Sequence, residues 1–237
     1  MSKQKKILYF HIPKTAGTTV ANLLDKHCKK TIHHIESKSI SNDFLSQFEA
    51  VSGHVTYTAM KNILDLSKWT TIATFREPYS YVVSHLCWVR KLADEGEENR
   101  FLMHQKHFQD MALKMKMLDL GNYKDINKLV SYLKNVNLSY FFNTQTLYMD
   151  TSKRLNFAIN NMRTVNIIGL TEFMDDLVKQ IDSYFNYPLI APEPKILNKN
   201  SNKYGLDITD TKIRNSLYPL INKDLYLYEE AVRLADQ

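Results

Sequence analysis

Ile7-Leu8-Tyr9-Phe10-His11-Ile12-Pro13-Lys14-Thr15-Ala16-Gly17-Thr18-Thr19 is the stretch that decides the fold. A β-prone run meets a proline and a short loop, and Thr18 to Lys30 then reads as a helix with Val20, Leu23, Leu24 and His27 on one face. Strand, tight loop and crossover helix is the opening unit of an α/β fold. Backbone N–H groups at such a helix start, backed by the helix dipole, make an anion site for which phosphate is the natural guest. The plain alternative is an ordinary strand-to-helix turn with a surface lysine. The loop is not the nucleoside-triphosphate P-loop, because Lys14 precedes its only glycine and no acidic strand end offers itself to Mg²⁺.

Working outward, Ala50-Val51-Ser52 is a candidate second strand running into Gly53-His54, and Trp69-Thr70-Thr71-Ile72-Ala73-Thr74-Phe75 is the clearest strand, stopping at Arg76-Glu77-Pro78. Tyr79 to Leu92 reads as helix. Residues 93–148 change character, with helical segments at Met103–Leu118 and Ile126–Leu133, and are taken as a helical insertion. A strand at Val165–Leu170 leads into a helix from Glu172 to Phe185 carrying Phe173, Leu177 and Ile181 at helical spacing, and a last helix runs from about Thr209 to Leu234. The expectation is one α/β domain over 1–237, a P-loop-like three-layer fold with a central, mostly parallel sheet, helices on both faces and an insertion at about 93–148.

The 237 residues are 44% hydrophobic and 24% charged, which excludes a disordered chain, and a net charge of +6 leans toward anionic ligands. Cys28 and Cys87 make no disulfide framework. No signal-peptide core or membrane span is visible, so a cytoplasmic location is expected. Positive charge is not concentrated on one helix or interleaved with aromatics, and nucleic acid is not expected as a partner.

Arg76 ends the best strand, and Ser84 follows on the next helix. In an open parallel sheet ligands bind beyond the carboxyl ends of the strands, where Lys14 also falls if the two strands are neighbours. Arg76 offers a fork of donors to a second phosphate and Ser84 a hydroxyl. The stretch from Phe10 to Thr19 resembles the 5′-phosphosulfate loop of the sulfotransferases, and Arg76-x-Pro78 with Ser84 resembles their 3′-phosphate motif. Within them the chain is most similar to the carbohydrate enzymes of the heparan sulfate 2-O-sulfotransferase type. Gly53-His54-Val55 stands where those enzymes have His-Gly-His-Val, and Ile168–Phe173 and Asp224–Glu229 match later segments. The chain departs from them at Ser52, which replaces the first histidine, and at Tyr81, where many have arginine. Lacking their anchor and stem, it resembles a stripped, soluble, bacterial version.

The resemblance implies 3′-phosphoadenosine 5′-phosphosulfate as co-substrate and a saccharide or other hydroxyl-bearing acceptor. It implies that Lys14, Thr15, Ala16, Gly17, Thr18 and Thr19 hold the 5′ side, that Arg76 and Ser84 hold the 3′-phosphate, and that Lys199, Asn200 and Lys203 close over it. Sulfuryl transfer asks mostly for positioning and charge stabilisation. Lys14 suits the leaving side, and His54, an imidazole titrating near neutrality, suits the general base. A lone histidine after a strand is otherwise structural or merely exposed, and His11 is the rival, read as packing or orienting the loop. His33-His34 on a strand would point to opposite faces, with nothing to complete a ligand set, so no metal is expected. Arg90, Lys91, Arg100, Lys106, Lys114 and Lys116 either line a cleft for an acidic glycan or form a wet surface. The other classes are a kinase-like phosphoryl transferase and a non-catalytic module that binds polyanions.

Overall fold

The structure, a computed structural model, describes residues 6–36, 40–185 and 204–236. In chain order the elements are β1 (Lys6–Phe10), α1 (Gly17–His27), β2 (Thr31–Ile35), α2 (Asn42–Leu45), β3 (Ala50–Gly53), α3 (Tyr57–Ile63), β4 (Trp69–Phe75), α4 (Pro78–Lys91), α5 (Glu98–Met103), α6 (Lys106–Lys116), α7 (Tyr123–Asn135), α8 (Thr144–Met149), α9 (Leu155–Met162), β5 (Ile167–Leu170), α10 (Met174–Tyr184), α11 (Thr211–Leu217) and α12 (Asn222–Ala235). They divide between two compact units. Among the described residues no helix is long and apolar enough to cross a membrane.

The first unit holds the described residues up to Glu77 together with 144–185 and 223–236. Its core is a five-stranded sheet in the order β2-β3-β1-β4-β5, every pair parallel. Parallel strands cannot be joined by hairpins, so each connection crosses a face and buries it, and β3 and β4 are accordingly buried along their whole length. Val20, Leu23 and Leu24 of α1 and Leu177, Val178 and Ile181 of α10 pack on Ile7, Tyr9, Ala50, Ile72 and Ile167. His27 Nε2 donates to Asp182 Oδ1 at 2.7 Å and ties these two helices together. On the opposite face the Phe10 ring meets Tyr57 of α3, 5.6 Å between centroids. This is the expected α/β arrangement, with helices on both faces of a parallel sheet.

Chain direction reverses at the centre of the sheet. From β1 the chain goes out to β2 on one side, and from β4 it goes out to β5 on the other. The C-terminal ends of β1 and β4 therefore form the topological switch point of this sheet. The two loops that leave there begin at His11 and at Arg76.

The second unit holds 78–143 and the described residues of 204–222, all helical or irregular. Its centre is built from Met111, Met115, Ile126, Leu129 and Leu133, each fully buried, beside an aromatic cluster in which His85 stacks on Phe141 at 5.0 Å and Trp88 meets Phe108 edge-on at 5.7 Å. Arg214 of α11 stacks its guanidinium 3.9 Å from the Tyr79 ring.

Several elements differ from the sequence reading. β2 was not anticipated, because an edge strand reading Thr-Ile-His-His-Ile after two lysines carries little apolar signal. Its alternation also fails. The pairing with β3 shifts register between Ile32 and Ile35, and His34 takes a left-handed φ of 58°, so the opposite-face rule does not hold for His33 and His34. Phe173 is not part of the α10 stripe: it precedes the helix, is 58% exposed, and Met174 takes the buried place. The single C-terminal helix is two, because Pro219 lacks the N–H that a continuous helix would need there.

Candidate functional site

The loop after β1 is shaped by buried hydroxyls. Thr15 Oγ1 donates to the Ile12 carbonyl at 2.7 Å, so it must accept from Thr74 Oγ1 at 2.8 Å, and Thr74 in turn accepts from the Tyr9 hydroxyl at 2.7 Å. Each hydroxyl has one proton, and the chain uses all three. Burial pushes the Tyr9 phenol well above its ordinary range, against the two threonine bonds, so it stays a donor. Lys14 and Ala16 are left-handed, with φ of 67° and 63°, at a cost of about 1–2 kcal/mol each for non-glycine residues. Alternating handedness of this kind curls successive N–H groups into an anion-binding concavity. The Thr15 and Thr19 amides donate inside the loop, to Ile12 at 3.4 Å and Ala16 at 3.0 Å. The helix-start donors expected over residues 15–19 thus narrow to Ala16, Gly17 and Thr18, whose amides precede the first intrahelical bond.

Gly17 is required by a ring. A Cβ there would lie 1.7 Å from His11 Nε2 and within 2.2 Å of Cδ2 and Cε1. His11 stacks on Tyr9 at 5.7 Å and receives the edge of His54 at 4.6 Å and 77°. Burial, then the neighbouring His54, His34, His33 and Lys14, drives the His11 pKa down to about 3, so the ring is neutral and a poor base. This agrees with a packing and orienting role. His54 is exposed, and desolvation by its surroundings, then His34, lowers its pKa, with Glu36 opposing. It is therefore unprotonated and able to accept a proton at neutral pH.

Ser52, the departure noted in the sequence, is buried and hydrogen-bonded to an imidazole from the next strand. His33 Nδ1 lies 2.6 Å from Ser52 Oγ, and His33 Nε2 lies 2.9 Å from Asp25 Oδ1. A carboxylate only accepts, so in the neutral ring Nε2 carries the proton toward Asp25 and Ser52 donates to Nδ1. The Asp25 carboxyl is held below its usual range, first by the Thr31 hydroxyl and then by His33.

Arg76 meets the first loop. Its Nη1 donates to the Lys14 carbonyl at 3.4 Å, so the two anion-binding candidates share one end of the sheet. The Arg76 peptide is gripped by the Gln145 side chain, and Gln145 is held by Asp224. Neither residue was singled out for a role from sequence. Gln145 lies in the stretch read as an insertion, yet α8, which carries it, belongs to the first unit, and Asp224 showed only within a matched segment.

Ser84 is buried on α4, in the second unit. Lys199, Asn200 and Lys203 lie outside the described residues. Four of the six cations singled out in the 93–148 region and its approach are locally paired, Arg90 with Asp94 at 2.8 Å, Lys91 with Glu97 at 3.1 Å, Arg100 with Glu97 at 2.8 Å and Lys106 with Asp110, while Lys114 lies over the Tyr132 ring at 5.8 Å. No group of three or more His, Cys, Asp and Glu residues able to hold a metal occurs among the described residues.

No known family model matches the chain, and no curated protein does. Among solved structures it is similar to mouse sulfotransferase SULT7A1 in its complex with PAP, at 13% identity and a TM-score of 0.45, covering 99% of this chain and 87% of that one.

Gly17→Ala should destabilise the protein by about 1–3 kcal/mol, since the imidazole is wedged and must be displaced. In a His11→Ala background the same change should cost nothing further. Thermal or urea unfolding of the four proteins measures this, and an equal loss in both backgrounds would remove His11 as the reason for the glycine.

Proposed function

We propose that the first unit binds 3′-phosphoadenosine 5′-phosphosulfate and transfers its sulfuryl group to a hydroxyl of an acceptor, a saccharide. The observation that carries this reading is the meeting of Lys14 and Arg76 at the switch point of the sheet, 3.4 Å from guanidinium nitrogen to Lys14 carbonyl. A nucleotide with phosphates at both its 5′ and 3′ ends needs two separate anion-binding elements in one crevice. The curled loop offers backbone donors, and Arg76 offers a planar fork.

The donor supplies the sulfuryl group. Lys14 stabilises the charge that grows on the 5′-phosphate side as that bond breaks, and the amides of Ala16, Gly17 and Thr18 hold the phosphate oxygens. His54 takes the proton from the acceptor hydroxyl as its oxygen bonds to sulfur. His11, neutral and fixed between Tyr9, Gly17 and His54, sets the ring of the base without competing for its proton. A saccharide acceptor rests on the resemblance around Gly53-His54-Val55. A kinase-like reading fits less well, because Lys14 stands before the glycine. The polyanion-binding reading has its own support in a groove of about 470 Å³ in the second unit, lined by Lys114, Lys124, Lys128, Ser131 and Tyr132.

Calorimetric titration with 3′-phosphoadenosine 5′-phosphate should show micromolar binding, with ATP·Mg²⁺ weak and the bisphosphate bound at least tenfold more weakly, though still measurably, by Arg76→Ala. Lys14→Ala should lower turnover about 100-fold. Absence of bisphosphate binding would remove the reading, and ATP binding would then favour phosphoryl transfer.

The pH profile tests the base. Because His54 is depressed below 6.5, kcat/KM should be level at neutral pH and fall on acidification through a pKa below 6.5. His54→Ala should lose about 10²- to 10⁴-fold and flatten that limb. Glu36→Gln, which removes a carboxylate favouring the protonated ring, should move the limb to lower pH; a limb unmoved by both changes would contradict the assignment.

A further inference from the structure

Arg76 is the first residue beyond β4, and the last β4–β5 partners are Phe75 and Leu170. The strand ladder thus stops one residue short of it. What pairs its peptide instead is one buried side chain. The Arg76 N–H donates to Gln145 Oε1 at 2.9 Å, and Gln145 Nε2 donates back to the Arg76 carbonyl at 2.9 Å, a ring that reproduces a strand pairing with an amide side chain. Gln145 is 1% exposed.

Gln145 is itself anchored. Its N–H donates to Asp224 Oδ2 at 3.2 Å, and the Thr146 N–H and hydroxyl both donate to Oδ1 at 2.7 Å. Asp224 is fully buried at the start of α8, where a carboxylate satisfies orphan helix donors. Burial raises its pKa to about 6 in spite of those bonds, as expected of a carboxylate retained for its geometry. The next peptide is held from the other side: the Glu77 N–H donates to Glu172 Oε1 at 3.0 Å, and Tyr228 donates to Oε2 at 3.0 Å. Two successive peptides at the end of β4 are therefore fixed by residues from α8, α12 and the turn after β5.

We propose that Gln145, anchored by Asp224, is a positioning residue that aims the Arg76 guanidinium and thereby sets selectivity for a nucleotide bearing a 3′-phosphate. This rests on the reading above, in which Arg76 receives that phosphate. A guanidinium fork recognises phosphate only in a narrow geometry, and a misplacement of about 1 Å can cost 10²-fold. Rotating the Arg76 peptide would swing the side chain through such a distance without removing it. Residues that merely support the fold would weaken every ligand alike.

The test compares 3′-phosphoadenosine 5′-phosphate with adenosine 5′-monophosphate by calorimetry on wild type, Gln145→Met, Arg76→Ala and the double variant. Gln145→Met should weaken the bisphosphate tenfold or more and leave the monophosphate within twofold, and it should have no further effect once Arg76 is alanine. Equal loss of both ligands, or additive effects in the double variant, would overturn the positioning role while leaving the donor reading intact. A wild type that does not prefer the bisphosphate would overturn the donor reading, and the inference with it. Should Gln145→Met fail to fold, Thr146→Val, which removes one bond to Asp224 without touching Gln145, should lower the bisphosphate preference in the same direction. An unchanged preference in that variant would count against the proposal.

Discussion

Three hydroxyls between two strands govern the rest of the first unit. Tyr9 of β1, Thr74 of β4 and Thr15 of the intervening loop form a directed, fully buried chain that ends on the Ile12 carbonyl. An unpaired hydroxyl at such depth costs about 1–3 kcal/mol, so the chain is satisfied only when the loop folds back over the end of β4. The left-handed turns at Lys14 and Ala16 are offset by that constraint, and their curl presents backbone donors at the helix start.

The same constraint sets the neighbours. With the loop drawn over β4, Arg76 reaches the Lys14 carbonyl, which brings together at the switch point the two elements proposed to bind anions. With α1 starting at Gly17, His11 has room beside it and is trapped against Tyr9 and His54. An imidazole held neutral at that place cannot add positive charge repelling a protonated His54, which is consistent with the proton-accepting role proposed for His54. The candidate site is thus built from sheet geometry and buried polar bonds, with His54, the base proposed above, at the exposed edge.

Much of this was legible in the residues. The opening strand, loop and helix announced themselves through apolar period and the glycine at the helix start, and β4 through its β-branched run; both ended where the chemistry was expected. β2 was not legible, because its histidines and the bulge at His34 break the alternation that marks a strand. The break at Pro219 was legible in principle, since a proline inside a helical pattern marks a boundary. Gln145 had no sequence signal, and His33 stood out only as one of two adjacent histidines, with nothing to show its partner. Gln145 acts by pairing a peptide far away in the chain, and His33 joins Ser52 across two strands, relations that composition and spacing do not carry. Ser52 looked like a missing histidine, and the structure places a different imidazole on its hydroxyl.

Amide hydrogen exchange with and without 3′-phosphoadenosine 5′-phosphate tests the central claim most directly, namely that the loops after β1 and β4 hold one nucleotide between them. Saturating ligand should slow exchange in 12–19 and in 74–77 together, with the same ligand dependence in both. Protection of only one loop, or protection confined to 114–135 in the second unit, would contradict it.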